Sequence, residues 1–197
     1  PLLDEFSKLH PKLLMEIDFV DRHVDLVGEG YELAIRIADL KDSSLKAKRL
    51  TRIRQVLCAS PGYLKTFGEP TTLMELRDHD FLQYGSASLS KLQIIDPEGQ
   101  PCGLQAKVKM KANNGDFLKA MAIQGQGITG LPTFIAYQAL NSGELLPILR
   151  DHQMPELQAY AVYPQTRFLS QRCRLLIDFI AERFGEQPYW DDCGTHL

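Results

Sequence analysis

"NNGDFLKAMAIQGQGITGLPTF", residues 113–134, holds a literal G-x-G-x-x-G at 125–130, and the order of elements around those glycines decides the fold. The dinucleotide-binding form of this pattern needs a strand before the glycines and a helix after them. The diphosphate then meets the free N–H groups at the helix N-terminus. Here the order is reversed. Phe117, Leu118, Met121 and Ala122 share one helical face, preceded by Asn and Asp residues suited to capping. Ile128 to Leu131 is a short apolar strand that Pro132 stops. The glycines are therefore read as closing a helix and opening a strand. The functional end of the segment is placed at Asn113 to Asp116, away from the glycine run.

Composition bounds what else the chain can be. Its 197 residues are 44% hydrophobic and 24% charged, with a net charge of −3, an ordinary globular balance sufficient for one large core or two small lobes. No basic excess equips this stretch to hold nucleic acid by itself. No apolar run approaches the roughly 18 residues of a membrane span, and nothing at the front has the form of a signal peptide. Cys58, Cys102, Cys173 and Cys193 are scattered without C-x-x-C spacing, and His10, His23, His79, His152 and His196 are equally dispersed. No metal site and no cofactor are expected. The first residue is Pro1, so the sequence is expected to begin inside a longer protein.

Working outward, Leu2, Leu3, Phe6 and Leu9 predict an amphipathic helix that His10-Pro11 ends. Strands are predicted at 13–20, 31–37 and 53–60, with a short helix at 23–30 closed by glycine. That rhythm indicates parallel strands in an α/β sheet. After Pro61-Gly62 the rhythm changes. A short helix from Thr72, a strand at Phe81–Tyr84 and a hairpin around Asp96-Pro97-Glu98-Gly99 follow. A helix runs from Leu131-Pro132-Thr133 to about Leu140. Late in the chain, 157–164 is a strand and 168–184 a helix, with Leu169, Arg172-Cys173, Leu176 and Ile180 on its inner edge. The tail from Gly185 lacks periodicity and is expected to be loose.

With these elements in order, "FVDRHVDLVGEGYELAIRIADLKDSSLKAKRL" (19–50) resembles the LysR-type transcriptional regulators. "VLCASPGYLKTFGEPTTLMELRDHDFLQY" (56–84), the 113–134 stretch and "CRLLIDFIAERF" (173–184) fit their places in the same family. Glu32 stands where Asp is usual, and Ala38 where Gly is usual. The resemblance implies an effector-binding domain with the two-lobe α/β fold of periplasmic binding proteins, each lobe a mostly parallel sheet flanked by helices. Lobe I would comprise residues 1–57 plus 158–197 and lobe II residues 58–157, joined by crossing strands near Val56 and Gln158. It further implies that a winged helix-turn-helix domain and the first strand of lobe I precede Pro1. The expected partners are a small-molecule effector, a second copy in a homodimer, a tetramer in the full-length protein, promoter DNA through the preceding domain, and RNA polymerase. No membrane partner is expected, and the location is expected to be cytoplasmic. By pseudo-symmetry, helix 2–10 and strand 13–20 of one copy would face helix 116–124 and strand 128–131 of another, placing Leu3, Phe6, Phe117 and Met121 near the seam. An extracytoplasmic solute-binding protein of a transport system, which shares the fold, is the alternative.

Ligands of open α/β sheets bind beyond the carboxyl ends of strands, and two lobes would set those ends on both sides of one cleft. The candidate ligand residues follow from that rule: Ala38 and Asp39 after strand 31–37, Ser60 at the crossing region, and Tyr84, Gly85 and Ser86 after strand 81–84. Asn113, Asn114 and Gly115 belong to the turn before the central helix, and Pro132, Thr133 and Phe134 follow strand 128–131. The Asn113–Asp116 turn is the foremost of these, because a helix N-terminus suits a carboxylate. The plainer reading is that Asn113 or Asn114 merely caps the helix. The 84–88 run also reads as a surface loop. Arg36 fits either a carboxylate clamp or a structural ion pair, and the basic cluster Lys46, Lys48, Arg49, Arg52 and Arg54 reads as a solvated face. Asp21-Arg22-His23 and His79-Asp80 place acids beside histidines, but adjacency does not orient a triad. Neither G-x-S-x-G nor H-E-x-x-H occurs, and no enzyme is expected.

Overall fold

The structure, a computed structural model, describes residues 2–20, 22, 24–38, 45–85, 89, 92–164 and 169–191. In chain order its helices are α1 (Leu2–Leu9), α2 (Pro61–Phe67), α3 (Gly115–Ile123), α4 (Thr133–Ser142) and α5 (Gln171–Phe184). Its strands are β1 (Ala34–Ala38), β2 (Leu45–Ile53), β3 (Gln55–Ala59), β4 (Asp80–Tyr84), β5 (Gln93–Ile95), β6 (Pro101–Gly103), β7 (Lys107–Ala112), β8 (Ile128–Pro132), β9 (Leu146–Pro147) and β10 (Leu157–Pro164). The chain divides into two compact units, Pro1–Arg52 with Leu157–Tyr189, and Ile53–Glu156 with Trp190–Leu197.

The smaller unit holds a three-stranded sheet in the order β1-β10-β2, in which β1 and β10 run antiparallel with Arg36 opposite Tyr160. Helix α1 forms where its apolar face predicts, with Asp4 and Glu5 in the first turn and Lys8 in the last, all favourable to the helix dipole. Its Phe6 is buried, the ring 5.3 Å from that of Phe179 on α5. Helix α5 begins at Ser170, whose Oγ accepts from Cys173 N–H at 3.3 Å, and it buries Cys173, Ile177 and Ile180 along one face. Arg172, expected on the inner edge, is exposed.

Two expectations for this unit change. Residues 13–20 form no strand, and Leu14 and Phe19 are each 91% exposed. Alternation becomes a strand only where a neighbour satisfies the backbone, and among the described residues no strand pairs with this stretch. Residues 26–30 are turn rather than helix, and 24–25 are irregular. There Asp25 Oδ1 accepts from the N–H groups of Val27 and Gly28, both at 3.1 Å, which offers the backbone an alternative to helical bonding. Arg36 Nη2 holds this turn by donating to the Val24 carbonyl at 2.7 Å.

The larger unit carries a five-stranded sheet in the order β7-β4-β8-β3-β9. Here lies the parallel character: β4 runs parallel to both β7 and β8, whereas β3 is antiparallel to β8 and β9. The apolar run 56–59 is buried on both faces, as a sheet covered on two sides requires. Leu57 and Ala59 join Tyr63, Phe81 and Ile128 in one core; Val56 and Cys58 join Leu82, Leu118, Leu131 and Ala136 in another, beneath α3 and α4. The β5–β6 hairpin closes at the expected turn, Gly99 N–H donating to the Asp96 carbonyl at 3.0 Å.

The boundary therefore falls before β3, because β3 pairs only into the larger unit's sheet, while β10 belongs to the smaller one. The tail from 185 to 191 also departs from expectation, while 192–197 lie outside the described residues. Pro188 and Trp190 are buried, Tyr189–Asp191 form a short 3-10 turn, and from Trp190 the chain belongs to the larger unit.

Candidate functional site

The glycines at 125–130 build no nucleotide loop. Gly125 N–H donates to the Ala122 carbonyl at 2.9 Å and Gln126 N–H to that of Met121 at 3.0 Å, with Gly125 at φ +73°. This is a Schellman motif closing α3. Gly127 then passes so close to β4 that a Cβ there would stand 2.5 Å from the Asp80 carbonyl oxygen. Close approach and a left-handed turn account for the glycines.

Because β4, β7 and β8 are parallel, their carboxyl ends share one edge of the larger unit's sheet. Tyr84 lies opposite Ala112 in register, and Gly85 N–H donates to the Ala112 carbonyl at 2.8 Å. Antiparallel β3 brings its beginning to that edge, with Gln55 opposite Pro132. Tyr84 and Gly85, Asn113 to Gly115, and Pro132 to Phe134 are thereby gathered. Ser60 is not. It follows the carboxyl end of β3, which points to the opposite edge, and its Oγ caps α2 by accepting from Tyr63 N–H at 3.3 Å. The strand-end rule failed for Ser60 because it presumes a parallel strand.

Within the gathered set the side chains divide by exposure. Asn113 and Asn114 are exposed, and Tyr84 is 48% exposed. Asn114 Oδ1 caps α3 by accepting from Phe117 N–H at 2.8 Å. By helix geometry the N–H groups of Gly115 and Asp116 point out of the same turn. The Asp116 carboxylate is drawn aside to Lys119 Nζ at 2.8 Å. Gly115 is buried, and a Cβ there would meet Ile135 Cδ1 at 2.5 Å, so its smallness seats α3 against α4.

Thr133 is a correction. Its side chain is buried, Oγ1 lies 2.6 Å from Asp191 Oδ1, and its N–H donates to the Arg54 carbonyl at 2.9 Å. The hydroxyl proton is committed within the protein. Phe134 meets Trp190 edge-on, ring centroids 6.1 Å apart. Arg54 Nε stands 3.7 Å from Asp191 Oδ2. Arg54, read from the sequence as part of a solvated face, faces Asp191 instead; Trp190 and Asp191 carried no sequence signal beyond a lone tryptophan in a tail otherwise lacking pattern.

From the smaller unit, Ala38 ends β1 opposite Gln158, whereas Asp39, like Ser86, lies outside the described residues, as do Asp21, His23 and Cys193. Of the seam residues, Phe6 is core, committed to Phe179 and His10; Leu3 and Met121 are half-buried, and Phe117 is 43% exposed. Lys46, Lys48 and Arg49 lie exposed along β2, Lys48 paired with Asp178 at 2.6 Å. Glu32, the residue of unusual type, accepts from Ser170 Oγ at 3.0 Å, from Cys173 Sγ at 3.2 Å and from the Arg172 guanidinium. Those donors, the Arg172 hydrogen bond foremost, hold its carboxyl down to about 2.

Chemistry is poorly provided for elsewhere. The His79 ring meets Tyr63 OH at 3.2 Å, while the Asp80 carboxylate pairs with Lys107 and Lys109 at 3.3 and 3.2 Å, so the adjacent acid and histidine serve different partners. Burial pushes the Cys58 thiol up to about 12. Among the described residues no His, Cys, Asp and Glu side chains cluster to hold a metal ion, and no helix is long and apolar enough to cross a membrane.

Residues 1–185 match the LysR substrate binding domain. An uncharacterized HTH-type transcriptional regulator of Haemophilus influenzae is 37% identical over 169 residues, covering 86% of this chain and 59% of that protein. The HTH-type transcriptional regulator PtxR of Pseudomonas aeruginosa is 29% identical over 186 residues, covering 93% of this chain and 59% of that protein. The chain thus spans about three fifths of these relatives' length. Among solved structures, the regulatory domain of CrgA, a LysR-type transcriptional regulator from Neisseria meningitidis, superimposes with a TM-score of 0.83 at 28% identity, covering 94% of this chain and 91% of that one. The full-length Vibrio cholerae virulence activator AphB gives 0.80 at 25% identity, covering 92% of this chain and 62% of that one.

Proposed function

Because the chain belongs to the LysR substrate-binding domain family and carries its two-lobe, periplasmic-binding-protein-like fold, we propose that it senses a small carboxylate-bearing effector for a transcription regulator. The observation that carries this reading is the meeting of three strand ends at one sheet edge, with the N-terminus of α3 among them. First-turn N–H groups and the helix dipole favour an anion at Asn113–Gly115. Tyr84 and Asn113 add exposed polar groups beside them. Ala38, Asp39 and Ser86 stay proposed ligand residues on the strand-end rule alone.

The effector alters the protein only through unequal affinity for two arrangements of the domain. In the same proposal the domain pairs with a second copy near Leu3, Phe117 and Met121 and assembles to a tetramer in the full-length protein. It acts in the cytoplasm on promoter DNA and RNA polymerase through a helix-turn-helix domain. The family comprises transcription regulators, not enzymes, and a transport role is not favoured.

Thermal unfolding against mono-, di- and aromatic carboxylates tests the reading. A ligand that binds only the folded state adds about 2.7 kcal/mol at a hundredfold excess over Kd. At least one carboxylate is expected to stabilise the chain, and Asn113→Ala to reduce that gain. Stabilisation by none of them, at millimolar concentration, would rule the carboxylate reading out.

A further inference from the structure

We infer that Trp190 and Asp191 form a C-terminal latch on the first turn of α4, positioning the β8–α4 edge of the effector seat. The inference rests on the functional reading above. The latch lies beyond the residues that match the family, since that match ends at 185.

Three observations carry it. The first is a hydrogen bond: Thr133, the first residue of α4, directs its buried hydroxyl to Asp191 Oδ1 at 2.6 Å, across 58 positions of chain. The second is ring packing. Trp190 is buried and meets Phe134 edge-on. The third is charge. The Asp191 side chain is only 6% exposed, its Oδ2 is buried without a hydrogen bond, and Arg54 Nε stands 3.7 Å away. A buried carboxylate is costly unless paired, so Asp191 is held in place by Thr133 and Arg54. Conversely, α4 has no side-chain cap of its own, its N-cap position being Pro132.

The latch is also a chain connection. The backbone leaves the smaller unit at Tyr189 and enters the larger at Trp190, close after α5 ends at Phe184. Release of the latch frees Thr133 and Phe134 together, and both adjoin the edge where Tyr84, Asn113 and Pro132 meet. A seat whose wall depends on the latch loses its preorganisation when the latch opens.

Trp190 is the sole tryptophan, so its fluorescence reports the latch directly. In the 197-residue chain, acrylamide is expected to quench Trp190 weakly, and Asp191→Ala to raise the quenching constant severalfold. Amides of Phe134 to Tyr137 should exchange about tenfold faster in that variant, with those of α3 unchanged. Asp191→Asn, which still accepts the Thr133 proton but loses the charge facing Arg54, should bring both values most of the way back to native. Thr133→Ala removes the same bond from the other side and should reproduce the Asp191→Ala result. A carboxylate that stabilises the native chain should bind Asp191→Ala severalfold more weakly, and Asp191→Asn with an affinity between those of Asp191→Ala and the native chain. Strong quenching in the native chain, unchanged exchange in both alanine variants, or equal ligand affinity in Asp191→Ala would each overturn the latch. A carboxylate panel without a hit overturns the functional reading alone, since quenching and exchange decide the latch without any ligand.

Discussion

Gly127 passes so near Asp80 that a side-chain carbon at 127 would stand 2.5 Å from the Asp80 carbonyl oxygen. The obstacle is backbone of the neighbouring strand, which cannot rotate aside, so Gly127→Ala must push β8 away from β4. A loss of about 1–3 kcal/mol is expected from overpacking. Gly125→Ala, which meets no such wall but must hold φ at +73°, is expected to cost about 1 kcal/mol. Urea unfolding of both variants checks the order. A milder effect at 127 than at 125 would mean that strand contact is not what the glycine serves.

Asn113 and Asn114 are neighbours with separable duties. Asn114→Ala removes the cap of α3 and is expected to lower stability by about 1 kcal/mol, with Asn114→Ser close to native. Asn113→Ala should leave the unfolding midpoint within about 0.5 kcal/mol of native, as exposed substitutions do, while weakening carboxylate binding. Equal losses of stability at both positions would assign capping to the pair.

Glu32 makes the smaller unit sensitive to acid. Its folded pKa, about 2, lies below the ordinary 4.5, so its stabilising contribution is complete above 4.5 and disappears as pH falls through 2. The Glu32 side chain is 37% exposed, and solvent screening reduces the contribution to about 1 kcal/mol. Glu32→Gln should flatten the dependence of stability on pH between 4.5 and 2, read by urea titrations across that range. An unaltered slope would show that the Arg172, Ser170 and Cys173 donors do not favour the ionised form.

Cys58 is expected to be inert in the native chain. It has no exposed surface, and its thiol, raised to about 12 by burial, supplies almost no thiolate at neutral pH. Mass spectrometry after brief alkylation should find Cys58 unmodified until denaturant is added, with partly exposed Cys102 modified earlier. Modification of Cys58 at the rate of Cys102 would indicate local opening of β3.

What reading along the chain could determine was local. Strand 157–164 has the predicted bounds, the 96–99 turn closes its hairpin, and the glycines after α3 end a helix as the order of elements required. Each rests on side-chain spacing, caps and backbone freedom within a few residues, and the family motifs are local strings too. The tertiary structure decided the rest. That 13–20 forms no ladder depends on a partner strand, which no stretch of eight residues can specify. That Ser60 lies away from the other candidates depends on β3 running antiparallel to β8, a direction set by which strands pair at long range. That Thr133 serves Asp191 depends on two residues 58 positions apart. Periodicity records which face of an element is buried; it carries no information about which distant group will lie against that face.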